Sequence, residues 1–185
     1  MTRTIISLAL ACACTLSPAA FGQATAELAS TEPVAKTNHD YWALDGLSAR
    51  MHRATAVTLY LTDPGLLPLR AMDEAQLKRS GCEYTTEDAA LITKLVEAVD
   101  GASLRHATFS PQFEPREAVY LTLGSGGGEI RLLLEKPYPD QAALLGRVDD
   151  QPVTVSSSFV ETLYQWAAKL SPVDKCEPFI RQYRR

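Results

Sequence analysis

Apolar and polar residues alternate cleanly in "ATAVTLYLT". Val57, Leu59 and Leu61 fall on one face and Thr58, Tyr60 and Thr62 on the other, the pattern of a half-buried strand. The same period returns in "EAVYLTLGSGGGEIRLLLE". Val119, Leu121 and Leu123 alternate with Tyr120 and Thr122, then Ile130, Leu132 and Leu134 with Arg131 and Glu135. The glycines between the two runs supply the positive-φ freedom of a hairpin turn. "AALLGRV", the turn "DDQP" and "VTVS" predict a second hairpin, and "SLRHATFS" is a weaker strand signal.

Two segments carry the longer, helical period. Ile92, Leu95, Val96 and Val99 make one stripe, with Ala89 and Leu91 beside it. Thr85 or Thr86 is placed to accept from the first free amides, Asp88 follows three after Thr85, and Gly101 ends the run. Phe159, Val160, Leu163, Trp166 and Leu170 make the second stripe, with Ser158 read as its cap, Glu161 three residues on, and Pro172 as its stop. A shorter turn of helix is predicted in "MDEAQLKRSG", where Asp73 and Gln76 have capping-box spacing before Gly81. "HDYWALDGLSARMH" fits a short helix or an extended arm. The order is strand, helix, antiparallel meander, helix. It predicts an α+β two-layer sandwich, a mostly antiparallel sheet with its two main helices packed on one face.

The N-terminus changes the compartment. Arg3 precedes an apolar run from Ile5 to Leu16, then Pro18 and small residues up to Gly22-Gln23-Ala24. Such an order is that of a secretory signal over residues 1–24, too short to span a bilayer as a retained anchor. A lipid-modified Cys12 or Cys14 is the alternative, but the leucine before Cys12 sits one place late for that pattern. Residues 25–40 read as a flexible leader and residues 41–185 as a single domain, large enough for one core. The expected location is periplasmic or secreted.

Export decides the cysteine arithmetic. Of the 4 cysteines, Cys12 and Cys14 fall in the signal, leaving Cys82 and Cys176 as one pair in an oxidising compartment. Cys82 lies just ahead of the first long predicted helix and Cys176 just after the last. A bond between them would close a loop of roughly a hundred residues, worth on the order of 4 kcal/mol. The alternative is a reactive Cys82 thiolate at a helix start, with His52 or His106 as its base.

The formal net charge is −4, and losing Arg3 makes the remainder one unit more negative. Mild acidity without a long basic cluster argues against nucleic acid. Arg181, Arg184 and Arg185 gather in the tail "KCEPFIRQYRR" and read as a solvated end making weak surface pairs, or as a contact for an acidic partner. No internal apolar run is long enough for a transmembrane span.

Catalytic motifs are thin. "GSGGGE" lacks a phosphate-loop ending and joins two strands. His39, His52 and His106 have no metal-ligand spacing, and Asp73-Glu74 and Asp149-Asp150 read as solvated turns, so neither metal nor cofactor is expected. Glu114 and Glu117 in "FEPRE" form a possible carboxylate pair at a sheet edge. The loops "FSPQFEPRE" and "EKPYPD" instead suggest recognition: Phe109, Phe113, Arg116 and Tyr138 are the candidate binding residues, set among prolines that pre-order them. The expected function is a non-catalytic exported binding protein acting on a protein or envelope partner, such as an inhibitor of a wall-degrading enzyme or an immunity-type protein. A small hydrolase using Cys82 or a carboxylate pair, and a small-ligand or lipid-binding module, are the alternatives.

Overall fold

A computed structural model describes residues 44–65, 70–108, 110–138 and 140–184. The predicted signal and leader, with His39, as well as Phe109 and Arg185, lie outside the described residues. Seven strands form one sheet: β1 (Ala54–Leu61), β2 (Cys82–Thr86), β3 (Arg105–His106), β4 (Pro115–Leu123), β5 (Glu129–Glu135), β6 (Ala143–Val148) and β7 (Gln151–Ser156). Their spatial order is β2-β1-β4-β5-β6-β7-β3, and each neighbouring pair is antiparallel. Among the described residues five α-helices accompany them: α1 (Leu47–Met51), α2 (Glu74–Ser80), α3 (Ala89–Asp100), α4 (Ser158–Ala167) and α5 (Glu177–Ile180). The fold is α+β.

Strand alternation builds the core. Val57, Leu59 and Leu61 of β1, Val119, Leu121 and Leu123 of β4, and Ile130, Leu132 and Leu134 of β5 all point into one buried cluster. The helix stripes close it from above: Ile92, Leu95, Val96 and Val99 from α3, and Phe159, Val160, Leu163 and Trp166 from α4. The Trp166 indole N–H donates to the Leu91 carbonyl at 2.8 Å, holding the two helices together. The two main helices therefore share one face, as the periodicity predicts. A partial third layer adds to this. α2 covers the opposite face, where Met72 and Leu77 pack on Ala118, Tyr120 and Leu133. Its capping box is formed as the Asp73 and Gln76 spacing predicts. Gly81 permits the close approach at its end, since a Cβ there would lie 2.6 Å from the Leu77 carbonyl oxygen.

Some local expectations are corrected. Cys82 does not precede a helix. It opens β2, in register with Leu61. "CEYTT" alternates, with Cys82 and Tyr84 buried and Glu83 and Thr85 exposed, so sheet pairing wins over helix capping. The cap of α3 is Asp88, which accepts from the Ala90 and Leu91 amides at 2.8 and 3.2 Å. Ser158 is the first residue of α4 rather than its cap, and its hydroxyl lies 2.8 Å from that of Ser156. The acidic turns are not simply solvated. The Arg131 guanidinium donates to Glu74 at 2.9 Å, to Asp150 at 2.6 Å and to the Asp149 carbonyl at 3.1 Å.

Cys82 and Cys176 are disulfide-bonded, their Cα atoms 6.1 Å apart. The bond pins the edge strand β2 to the chain beyond α4, and the Lys175 ammonium adds a 2.6 Å hydrogen bond to the Gly81 carbonyl. The tail then turns back over the core, burying Phe179 and Ile180. Arg184 is spent internally: it pairs with both carboxylate oxygens of Glu177, at 2.8 and 2.6 Å. Among the described residues, no helix is long and apolar enough to cross a membrane.

Candidate functional site

On β4, Glu117 shares the parity of Val119, Leu121 and Leu123, so its side chain enters the layer between sheet and helices. Its neighbours across the strands are Leu61 and Leu134. A carboxylate among aliphatic residues on a central strand is costly. Glu117 is only 2% exposed. Beside it the β4–β5 register slips between Pro115 and Glu117, leaving Arg116 as an extra residue. Such a bulge bends the strand and re-aims side chains. Here Arg116 and Glu117 both line a cleft of about 790 Å³ at the end of the sheet.

Each wall of the cleft comes from a chain end or turn. Thr62, Asp63 and Pro64 follow β1, Lys136, Pro137 and Tyr138 follow β5, and Ser157, Ser158 and Glu161 start α4. The helix start has no side-chain cap. Tyr164 reaches in from the next turn of α4 and is packed by the rings of Tyr183 at 5.2 Å and Phe179 at 6.1 Å.

Protonation follows from counting hydrogens. The Tyr164 phenol oxygen lies 2.7 Å from the Thr62 carbonyl oxygen and 3.0 Å from Glu117 Oε1. A phenol has one proton to donate, and a carbonyl has none. The shorter contact, to Thr62, takes the phenol proton. The contact with Glu117 is then a hydrogen bond only if the carboxyl carries a proton on Oε1. Burial acts the same way. It pushes the Glu117 carboxyl up to about 8, against the pull of the Arg116 and Lys136 charges. Burial, and then the neighbouring Glu117, also raise the Tyr164 phenol above its usual value. Hydrogen count and burial both favour the neutral form of Glu117, with its proton directed at Tyr164.

Glu117 Oε2 is left over. It is buried without a hydrogen-bond partner, and among the described residues only Tyr84 Oη shares that condition. Tyr84 does not line the cleft; burial raises its phenol to about 12, near Glu177 and Arg184. An unsatisfied buried acceptor costs about 1–3 kcal/mol. In Glu117 this oxygen belongs to a residue that lines the cleft.

The candidate binding residues divide between two places. Arg116 and Tyr138 line the cleft. Arg116 is 8% exposed, with its guanidinium 4.0 Å from the Glu114 carboxylate, whereas Tyr138 is 54% exposed. Phe113 lies on the other face of the sheet, against the α2 cluster and beneath the Arg147 guanidinium at 4.7 Å. The Glu114 and Glu117 pair also separates: Glu114 is held by Arg116, and Glu117 is neutral and buried. Cys82 is consumed by the disulfide and is no nucleophile. The His52 ring is 3.4 Å from the Asp100 carboxylate. Among the described residues, no three His, Cys, Asp or Glu side chains group as metal ligands would.

Sequence reasoning passed over Tyr164, Lys136 and Thr62. A signal for the site was present, however: Glu117 sits on the apolar parity of its strand. No family model, curated protein or solved structure matches the chain.

Proposed function

We propose that this is an exported binding protein without catalysis of its own, which engages a protein or envelope partner through the cleft at Glu117. The observation that carries the reading is the unpartnered Oε2 of a neutral, buried carboxyl in a cleft wall. A perturbed, imperfectly satisfied group in a cleft is a functional-site candidate on physical grounds. Export is supported by the disulfide, which needs an oxidising compartment. Binding is favoured over acid catalysis by the direction of the proton. The Glu117 proton is engaged with Tyr164 on Oε1, and Oε2, the unpartnered oxygen, carries none, so no proton stands ready for a leaving group.

The test is affinity capture from an envelope extract with the wild type and three variants. Glu117→Met and Tyr138→Ala should lose the captured partner, while Phe113→Ala, altered on the other face, should retain it. Equal capture by all four proteins would remove the cleft from the function.

A further inference from the structure

Resting on that reading, we infer that the cleft is a saccharide site, in which Glu117 Oε2 accepts from a sugar hydroxyl or acetamido N–H while Tyr138 lies against the ring. Oε2 is an acceptor without a donor, so the ligand must bring one. The donor should be uncharged. Arg116 and Lys136 place positive charge at Glu117, and Asp63 and Glu161 in the same wall balance it, so the cleft has no charge surplus to draw an ion. A peptide main chain also offers neutral N–H groups, but it is usually held by adding to an open sheet edge. Glu117 stands on β4, between β1 and β5, and the free edges belong to β2 and β3. Recognition here must come from side chains.

Those side chains suit a sugar. The wall mixes hydroxyl, amide and carboxylate groups, from Ser157, Ser158, Gln141 and Asp63, with tyrosine rings. Ring faces attract the polarised C–H edges of a saccharide through their negative quadrupole. Tyr138 presents such a face, the one large hydrophobic side chain exposed among the described residues. The surface is also elongated. A second depression of about 670 Å³ shares Glu161 and Tyr183 with the first and continues along α4 to Lys169. That shape fits an oligosaccharide better than a single ring.

Calorimetric titration with the N-acetylglucosamine trimer, a glucose trimer and trialanine tests the assignment. One of the two sugars should bind the wild type. Glu117→Met should weaken it about tenfold or more by removing the acceptor. Glu117→Gln should stay within about threefold, because an amide can donate to Tyr164 and still offer its carbonyl to the ligand. Tyr138→Ala should cost about tenfold. Melting curves of both Glu117 variants verify that they fold. Sugar binding untouched by Glu117→Met, or binding of trialanine alone, would overturn the assignment. Partner capture that persists without any saccharide binding would overturn it too, while leaving the broader binding function standing. Loss of both would sink both.

Discussion

Two tyrosine–glutamate pairs sit on opposite faces of the same sheet and end in opposite charge states. On the α2 face, the Tyr120 hydroxyl donates to Glu74 Oε1 at 2.7 Å, and Arg131 and Lys78 contact the carboxylate at 2.9 and 3.2 Å. Partial burial alone would raise the Glu74 carboxyl. The hydrogen bonds from Tyr120 and Lys78 and the charges of Arg131 and Lys78 outweigh it, leaving Glu74 below the usual carboxylate range. Lys78 also lies over the Tyr120 ring at 4.1 Å. On the α3–α4 face, Glu117 has its tyrosine but, among the described residues, no cation in hydrogen-bonding contact, and burial favours its protonated form. What separates the pairs is the touching cation rather than the tyrosine. The Glu74 cluster closes upon itself and reads as structural, whereas the Glu117 pair keeps an unpartnered oxygen on a residue that lines the cleft.

The most severe way to break this contrast is reduction of Cys82–Cys176. Phe179 and Tyr183, which cover Tyr164, lie in the segment that this bond anchors. Its loss should cost about 2–5 kcal/mol, the usual range for a bridge in a small secreted domain. It should also bring Glu117 down toward an ordinary carboxylate by letting water in, leaving Glu74 as it was. Denaturant titration with and without reductant, together with carbon NMR titration of the two carboxyls, would check both effects. Unchanged Glu117 titration after reduction would mean that the tail does not enclose the site.

Glu117→Gln reaches a similar size, but only at high pH. The folded-state pKa, about 8, lies above that of an unfolded glutamate. Stability from this group is therefore fully present below about pH 4 and is lost as pH rises through about 8. The variant removes that loss. Its advantage over the wild type should grow across this window to about 3–5 kcal/mol near pH 9. Melting temperatures that run parallel for the two proteins from pH 5 to 9 would contradict a neutral Glu117.

Removing the hydroxyls sharpens the comparison. Tyr164→Phe strips a partner from two buried groups, the Thr62 carbonyl and Glu117, and should cost about 2–3 kcal/mol. Tyr120→Phe leaves Glu74 with its two cations and should cost about 1 kcal/mol. Equal losses in urea unfolding would erase the distinction drawn between the pairs. The smallest effect belongs to Glu74→Gln. Its depressed pKa contributes stability above the unfolded value that disappears as pH falls through the folded one. The substitution should flatten the acid limb of the stability curve by about 1 kcal/mol or less, because the cluster is part-exposed. A steeper acid limb in the variant would reverse its sign.

Much of this architecture is written in periodicity. A period of two in Val57, Leu59 and Leu61 and in the β4–β5 hairpin, and helical spacing from Ile92 to Val99, set which residues face the core. The disulfide follows from similar economy, with two cysteines in the chain beyond the predicted signal. Local chemistry was legible as well: the capping box of α2 needs only Asp73 and Gln76 three residues apart. Where competing local signals met, tertiary pairing decided. Thr85 and Thr86 resemble helix caps, yet β1 offers "CEYTT" a ladder and the buried places for Cys82 and Tyr84. The site depended on the fold almost entirely. Strand parity alone can show that Glu117 is out of place. It cannot show that Thr62 and Tyr164, 102 residues apart, meet there, nor that the phenol proton goes to the Thr62 carbonyl and leaves Glu117 to supply its own. Burial, charge contact and hydrogen count are properties of a three-dimensional neighbourhood, and only the packing of α4 over the ends of β1 and β4 creates it.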